Sequence, residues 1–350
     1  MAKKFDVVIG NPPYQEDASG TATHSMPIYH RFMDAAYEVG TKVVLITPAR
    51  FLFDAGYTPK DWNAKMLADR HLSVAHFAPN SDELFPGTII NGGIVVTYRD
   101  ADLEVEPIGT FTHFPELNTI TKKVRSKGFE PLESIGITSS RSFRFTPKMH
   151  EDFPQASTLM AAGEQFKINT KTFDQLAFLY SEQRPQDGQI YVRVMGLDGK
   201  QRTSRWILGE YVSGPANLGK FKVVLPASRG HLGTLGAEPA IVIGTPFLGE
   251  PGVAVTQTYI TIGAFDSEPE GGSCLKYVKS KFARALIGII KATQHNPAKV
   301  WKYVPAQDFS SASDIDWSKS IPEIDAQLYA KYGLDDAEIT FIESHVKSME

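Results

Sequence analysis

Cysteine is almost missing from this chain. Cys274 is the only one among 350 residues, which excludes an internal disulfide and any metal site built from clustered thiolates. Long apolar runs are missing too: no stretch approaches the roughly 18 uninterrupted apolar residues of a membrane-spanning helix. Lys3 and Lys4 are not followed by the apolar core of a signal segment before acidic and polar residues intervene. The net charge is only -4, so the surface as a whole is not basic, although a local basic face fits within that balance. The histidines are scattered, and no group of acidic residues with a lysine is placed to hold Mg²⁺ for nuclease work. These absences predict a cytoplasmic protein with no membrane segment and no metal centre. The apolar share of 42% over 350 residues is enough for two domains with sizeable cores.

What the chain does have begins at residue 5. Phe5-Asp6-Val7-Val8-Ile9-Gly10 is a short, mostly apolar run of strand length, and it stops abruptly at Asn11-Pro12-Pro13-Tyr14. Pro12 restricts Asn11 to extended geometry and Pro13 restricts Pro12, so the Asn11 amide is presented at a strand end on a stiff backbone. A polar side chain, two prolines and an aromatic at that place make a rigid pocket suited to a flat base. The same four residues also suit a plain rigid turn, and taken alone they leave both readings open.

Residues 15–25 read as a polar loop. From Pro27 to Val39, the apolar positions Ile28, Phe32, Ala35, Ala36 and Val39 recur at helical spacing, with Pro27 suited to the first turn and Gly40 as a stop. Lys42 to Pro48 predicts a second strand, residues 59–69 another helix, Leu72 to Phe77 a third strand, and Ile94 to Tyr98 a fourth behind the Asn91-Gly92-Gly93 turn. Strands alternating with helices predict a three-layer α/β domain whose ligands gather at the carboxyl ends of the strands. Asn11 and Pro48 fall on that rim.

An adenine amine is a poor nucleophile because its lone pair is delocalised into the ring. Two acceptors placed against N6 draw it toward a tetrahedral geometry and receive its hydrogens. The Asn11 side-chain carbonyl and the Pro12 backbone carbonyl are such acceptors, and Pro12 has no N–H to compete. Tyr14 is placed to stack on the ring. A base within a duplex reaches such a pocket only by extrusion, at an unpairing cost of a few kcal/mol that stacking partly offsets.

Residues 5–15 resemble the catalytic motif of the amino-methylating DNA methyltransferases, in particular the adenine-N6 branch of Eco57I-like restriction-modification enzymes. Val43-Val44-Leu45-Ile46-Thr47-Pro48 with Arg50-Phe51-Leu52 resembles that family's next strand and pocket wall. Phe85-Pro86-Gly87 with Ile90-Asn91-Gly92-Gly93-Ile94 resembles its late strand pair. The resemblance implies that Asn11 and Pro12 bond the amine of a flipped adenine, that Tyr14 stacks on it, and that Pro13, Pro48 and Phe85 surround it. For Phe85, core packing is the competing role. Transfer would be a direct displacement of the S-adenosylmethionine methyl group by N6, with positioning supplying much of the rate.

The family places its cofactor-binding strands and a glycine-containing loop before this motif, whereas ten residues precede Asn11 here. His231 to Gly236 and Gly244 to Gly249 contain glycines, but neither follows a clear strand with a helix directly behind, and neither is followed by an acidic residue placed to hold a ribose. Both read as turns. The resemblance thus implies S-adenosylmethionine as cofactor with its binding residues unassigned, supplied by a missing region or by a second subunit.

From about residue 111 the character changes. Thr119 to Lys127 predicts a short helix, and Val223 to Leu225, Ala240 to Ile243 and Thr258 to Ile262 read as separate strands of an irregular β-rich module. Thr138 to Phe145 and Lys220 to His231 are acid-free, as is the span between Gly271 and Val304, which carries seven lysines and arginines. Concentrated positive charge on an otherwise acidic chain favours a phosphate backbone; an ordinary solvated helix face is the alternative. Arg141, Arg144, Arg229, Lys276, Lys279, Lys281 and Arg284 are the candidate DNA contacts. Lys276, Lys279 and Arg284 are expected on one side of a helix whose Leu275, Val278, Phe282 and Leu286 face inward. Gln294 to Phe309 and Ile324 to Leu334 resemble the terminal part of Eco57I-like proteins, and Asp335 to Glu338 begins a final acidic helix.

The expected fold is α/β: a partial class I methyltransferase sheet, Rossmann-like, over residues 1–115, a β-rich target-recognition domain over 116–310, and a helical extension over 311–350. The expected function is adenine-N6 methylation of double-stranded DNA in a restriction-modification system, by a fragment or subunit. The alternative is a DNA-binding specificity module without catalysis.

Overall fold

Two strands marked by the apolar pattern, β1 (Phe5–Gly10) and β2 (Gly40–Pro48), lie side by side and parallel, joined by helix α1 (Tyr29–Val39). A parallel pair needs such a crossover. Helix α2 (Lys60–Ala68) and strands β3 (Leu72–Ala78) and β4 (Ile94–Asp100) complete a four-stranded sheet of order β1-β2-β4-β3, in which β4 runs antiparallel to both β2 and β3. The computed structural model describes residues 3–16, 26–53, 57–88, 90, 92–139, 141–199, 201–228, 235–236, 238–291 and 295–349. The chain divides into two units, Met1–Asn118 and Thr119–Glu350.

In the first unit α1 begins at Tyr29 and not at Pro27. Gln15 and Pro27 form an antiparallel bridge, and the Ile28 N–H donates to the Tyr14 carbonyl at 3.1 Å. Pro27 therefore closes the loop that Tyr14 opens. Met33 and Tyr37 of α1 and Trp62 and Met66 of α2 share a core with Val43, Leu45 and Val95 of the strands. Both helices thus lie on one face, so the described residues form two layers where the alternation of elements predicts three. Strand alternation sends Val8 into that core and Phe5, Val7 and Ile9 to the opposite face, where they are 56%, 52% and 76% exposed. β1 is also an outer strand of the sheet.

The second unit is β-rich. It opens on helix α3 (Pro115–Ser126) and strands β5 (Ile137–Thr138) and β6 (Arg144–Phe145), followed by three short helices, α4 (Pro147–Asp152), α5 (Ala156–Leu159) and α6 (Thr172–Gln175). A hairpin, β7 (Tyr191–Asp198) with β8 (Gln201–Leu208), precedes β9 (Val212–Ser213), β10 (Phe221–Pro226), β11 (Phe247–Gly249), β12 (Val253–Val255) and β13 (Tyr259–Phe265). These strands make three small sheets, of orders β11-β10-β13-β5, β12-β7-β8 and β6-β9. Phe143, Phe145, Val194, Ile207, Val224 and Tyr259 belong to one core that strands of all three sheets build.

Helices α7 (Glu268–Lys279), α8 (Lys281–Ile287), α9 (Ile321–Tyr332) and α10 (Asp336–His345) follow. The single helix expected across residues 275–286 is broken at Ser280, whose hydroxyl accepts the Ala283 N–H at 3.1 Å and so caps α8. Ala240 to Ile243 is not a strand either. Ala240 makes an isolated bridge to Val346, and Val242 has a φ of 70°, a left-handed conformation that a β-branched residue rarely adopts. Arg284 donates to the Ile241 carbonyl at 3.1 Å, and Lys291 donates to that of Val242. Two buried cations thus hold this bend in place.

Burial pushes the Lys291 ammonium down to about 8, below the roughly 10.4 of a free lysine. The unfolded chain binds the additional proton between those values, so this group makes stability rise with pH across that window. Chemical denaturation of the wild type and Lys291→Met between pH 7 and 10.5 should show the wild type gaining on the variant above pH 8. A constant difference would mean that Lys291 titrates as it does in the unfolded chain.

Candidate active site

A cavity of about 480 Å³ opens in the first unit, within the range of small-molecule sites. Asn11, Tyr14 and Gln15 enter it from the carboxyl end of β1. Pro48 and Arg50 enter from the carboxyl end of β2, and Pro27 and Tyr29 from the start of α1. Tyr57, Phe85, Thr88 and Ile90 complete the wall. Asn11, Tyr14, Pro48 and Phe85 are therefore brought together as expected, and Phe85 lines the cavity. Pro12 is half-buried and Pro13 exposed, and neither lines it.

Tyr14 is half-buried and packs against the edge of the core while also lining the cavity. Its hydroxyl is shielded and makes no hydrogen bond of ordinary geometry. Burial raises its pKa, and the neighbouring Asn11 side chain opposes that rise. Buried Ser81 organises the Phe85 wall. Its hydroxyl donates to the Thr88 carbonyl at 2.6 Å and accepts the Ile90 N–H at 2.8 Å, while its carbonyl accepts the Phe85 N–H at 2.9 Å.

The turn behind this wall meets the segment after Pro48, because the Ala49 N–H donates to the Gly93 carbonyl at 3.0 Å. Gly93 has a φ of 79°, and a Cβ there would sit 2.5 Å from the Ala78 carbonyl oxygen. Gly93→Ala is expected to destabilise the full chain by at least about 2 kcal/mol, since the left-handed backbone alone costs roughly 1–2 kcal/mol and the carbonyl cannot move aside cheaply. Gly87 has a φ of 77° but open space at its Cβ position, so Gly87→Ala should show only the backbone share. Equal losses in urea unfolding would mean that the sheet absorbs the Gly93 clash.

The basic residues fare differently. Arg284 is fully buried, its Nε donating to the carbonyls of Lys279 and Ser280 at 2.9 and 3.2 Å. Lys276 donates to the carbonyls of Trp317, Ser318 and Lys319, and Lys281 pairs with Glu343 at 2.5 Å. Lys279 is half-buried and desolvation lowers its pKa. Arg284, Lys276 and Lys281 thus each have partners within the second unit. Arg141 and Arg144 are exposed, and Arg229 lies outside the described residues.

Sequence reasoning placed Gln15, Arg50 and Ile90 in segments of the family resemblance and assigned no role to Tyr29, Tyr57 or Thr88 in the cavity. Also missed was the β7–β8 hairpin, paired from Tyr191 with Leu208 to Asp198 with Gln201. Its loop begins at Gly199, directly after Asp198, with a φ of 58°, and a glycine at the first position of a two-residue loop is a standard hairpin signal. Arg193 of that hairpin and Arg184, which precedes it, lie over the Trp206 ring at 6.0 and 5.6 Å.

Residues 1–85 match the Eco57I restriction-modification methylase family. The match takes in every cavity residue from Asn11 to Phe85, which links this N-terminal region to that family. The fold is similar to that of the Type IIL restriction-modification enzyme MmeI, solved in complex with DNA, at 10% identity and a TM-score of 0.32. That similarity covers 97% of this chain and 56% of the MmeI chain, so this chain spans little more than half of that enzyme. No curated protein matches the sequence.

Among the described residues, no group of three His, Cys, Asp or Glu side chains could hold a metal ion, and no helix is long and apolar enough to cross a membrane. No strand, glycine turn and helix in succession flanks the cavity among them either. Gly244 packs against Pro226, and Gly249 ends β11, while His231 to Thr234 lie outside the described residues. Among the described residues, the side chains that line the cavity do not by themselves make a complete S-adenosylmethionine site.

Proposed function

We propose that this chain is the base-binding part of a site-specific adenine-N6 DNA methyltransferase of a restriction-modification system. The observation that carries this reading is the convergence of Asn11, Tyr14, Pro48 and Phe85 on one cavity at the carboxyl ends of β1 and β2. In this reading a flipped adenine enters between Tyr14 and Phe85, and the Asn11 and Pro12 carbonyls accept the N6 hydrogens. S-adenosylmethionine would supply an electrophilic methyl group. This chain positions the amine that attacks it and excludes water from one side of the base.

A further segment or a partner chain would complete the cofactor site. The apolar outer strand β1, with Phe5, Val7 and Ile9 uncovered, is the place where its sheet would join. Double-stranded DNA would meet the second unit through exposed Arg141 and Arg144 and the arginine-flanked Trp206, since arginine and aromatic surfaces suit phosphates and bases.

The test is calorimetric titration of the chain with S-adenosylmethionine, with and without adenine-containing duplex, together with tritium transfer to the duplex. Tritium on adenine N6 that depends on Asn11 supports the reading, whereas label appearing on cytosine or on no base in a complex that binds both ligands would refute it. A second reading is a specificity module that recognises DNA without catalysis. It is favoured by the lack of a complete cofactor site among the described residues, and DNA binding with neither cofactor binding nor transfer under any reconstitution would select it.

A further inference from the structure

We propose that the open face of the β7–β8 hairpin grips the phosphodiester backbone of duplex DNA through Arg184 and Arg193, and that Trp206 is the platform that positions both guanidinium groups. The inference rests on the reading of the second unit as the DNA-contacting part of the chain, and it gives Trp206 a role other than stacking on a base.

Alternation along the hairpin turns Val192, Val194 and Ile207 into the core. Arg193, Ser204 and Trp206 therefore fall on the opposite face, and Arg193 stands directly across the strands from Trp206. Ser181 bridges Trp206 from the other side of β8, with both backbone hydrogen bonds at 2.8 Å, and so brings the following Arg184 to the same ring. An arginine thus reaches the half-buried Trp206 from the neighbouring segment on each side, within the range of a cation–π contact.

Arg184 and Arg193 are both exposed, and neither forms an ion pair among the described residues. The acidic residues close to them in the chain are otherwise engaged. Glu182 and Asp198 pair with Arg205 at 3.3 and 2.8 Å, and Asp187 accepts the Tyr191 hydroxyl at 2.8 Å. Arg193 uses only its Nε within the chain, donating to the Ser204 hydroxyl at 3.0 Å, so its two terminal nitrogens keep their donors for an outside acceptor. A guanidinium already packed on a ring loses little further freedom on binding, and its fork of N–H groups matches a phosphate. A ring flanked by two arginines is in turn a poor stacking surface for a base, so the face suits the backbone of a duplex over an unpaired strand.

The experiment is titration of a fluorescently labelled, mixed-sequence DNA duplex with the full chain, read by anisotropy over a series of salt concentrations. It compares the wild type with Arg184→Gln plus Arg193→Gln, with Arg193→Lys, and with Trp206→Leu alone and added to the arginine double variant. Arg141→Gln plus Arg144→Gln is the control, and thermal unfolding of every variant is measured first. The hairpin double variant should bind about tenfold more weakly. Its slope of log K against log salt should become shallower by about two, since each phosphate contact contributes roughly 0.9. Arg193→Lys keeps the charge without the planar group, so it should keep the slope. Trp206→Leu should weaken wild-type binding about threefold, the size of an exposed cation–π contact, yet change nothing once both arginines are absent.

An unchanged salt slope in the hairpin double variant would overturn the phosphate assignment. If the Arg141 and Arg144 variant then lost affinity, DNA contact by the second unit would stand without the hairpin. A Trp206→Leu loss that persists in the background lacking both arginines would overturn the positioning role, since the ring would then act through the fold or on a base. No binding of the duplex by the wild type at low salt would remove this inference together with the reading beneath it.

Discussion

Asn11→Ala is expected to lower methyl transfer at least about a hundredfold, the loss typical of removing one preorganised group aimed at a reacting centre. The side chain sits exposed at the end of β1, beside the cavity and next to Tyr14. Its amide oxygen would accept a hydrogen from N6 as the nitrogen turns tetrahedral, so it acts more strongly in the transition state than on the resting base. The loss should therefore fall on kcat more than on KM, and DNA affinity, set by the phosphates, should change little. Tritium transfer by the complete complex measures this. Asn11→Asp keeps an acceptor of the same shape and should retain more activity than Asn11→Ala. Undiminished transfer by the alanine variant would remove Asn11 from the reaction.

Asp325→Ala should be the most damaging single change to the second unit, at about 3–5 kcal/mol. Asp325 is 2% exposed and accepts the backbone N–H groups of Lys281 and Phe282 at 3.0 and 2.9 Å, two of the otherwise orphaned donors at the start of α8. Burial pulls the nearby Arg284 guanidinium down to about 10, and the Asp325 charge opposes that pull. Alanine would strand both the helix end and a buried cation. The double variant Asp325→Leu with Arg284→Met should recover part of the loss, because it removes the stranded charge along with its partner. Urea unfolding of Asp325→Leu, Arg284→Met and their double variant decides the point, and additive losses in the double variant would show that the two charges are independent.

The contrast between these two sites shows what the sequence made legible. β1, its abrupt end at Asn11 and the second strand ending at Pro48 were readable because strand periodicity and proline stops are local. The cavity follows directly from the parallel pairing of those two strands. Tyr29, Tyr57 and Thr88 were not readable, since only the packing of α1 and the Ser81-tied loop brings them to Asn11. The contacts of the basic run after Gly271 were not readable for the same reason. Its partners lie far off in sequence, with Glu343 facing Lys281 and Ile241 facing Arg284, and no local pattern announces that a lysine will cap a distant loop. Ser280, a good N-cap between two lysines, did carry the helix break. Val242 carried nothing that would reveal its left-handed backbone.

The outer strand also bears on how such a chain survives in a cell. An open strand edge with Phe5, Val7 and Ile9 uncovered beside it is a template for any extended segment that meets it. A copy that stays uncovered is thus prone to self-association and to recognition by chaperones and proteases, both of which select exposed apolar strands.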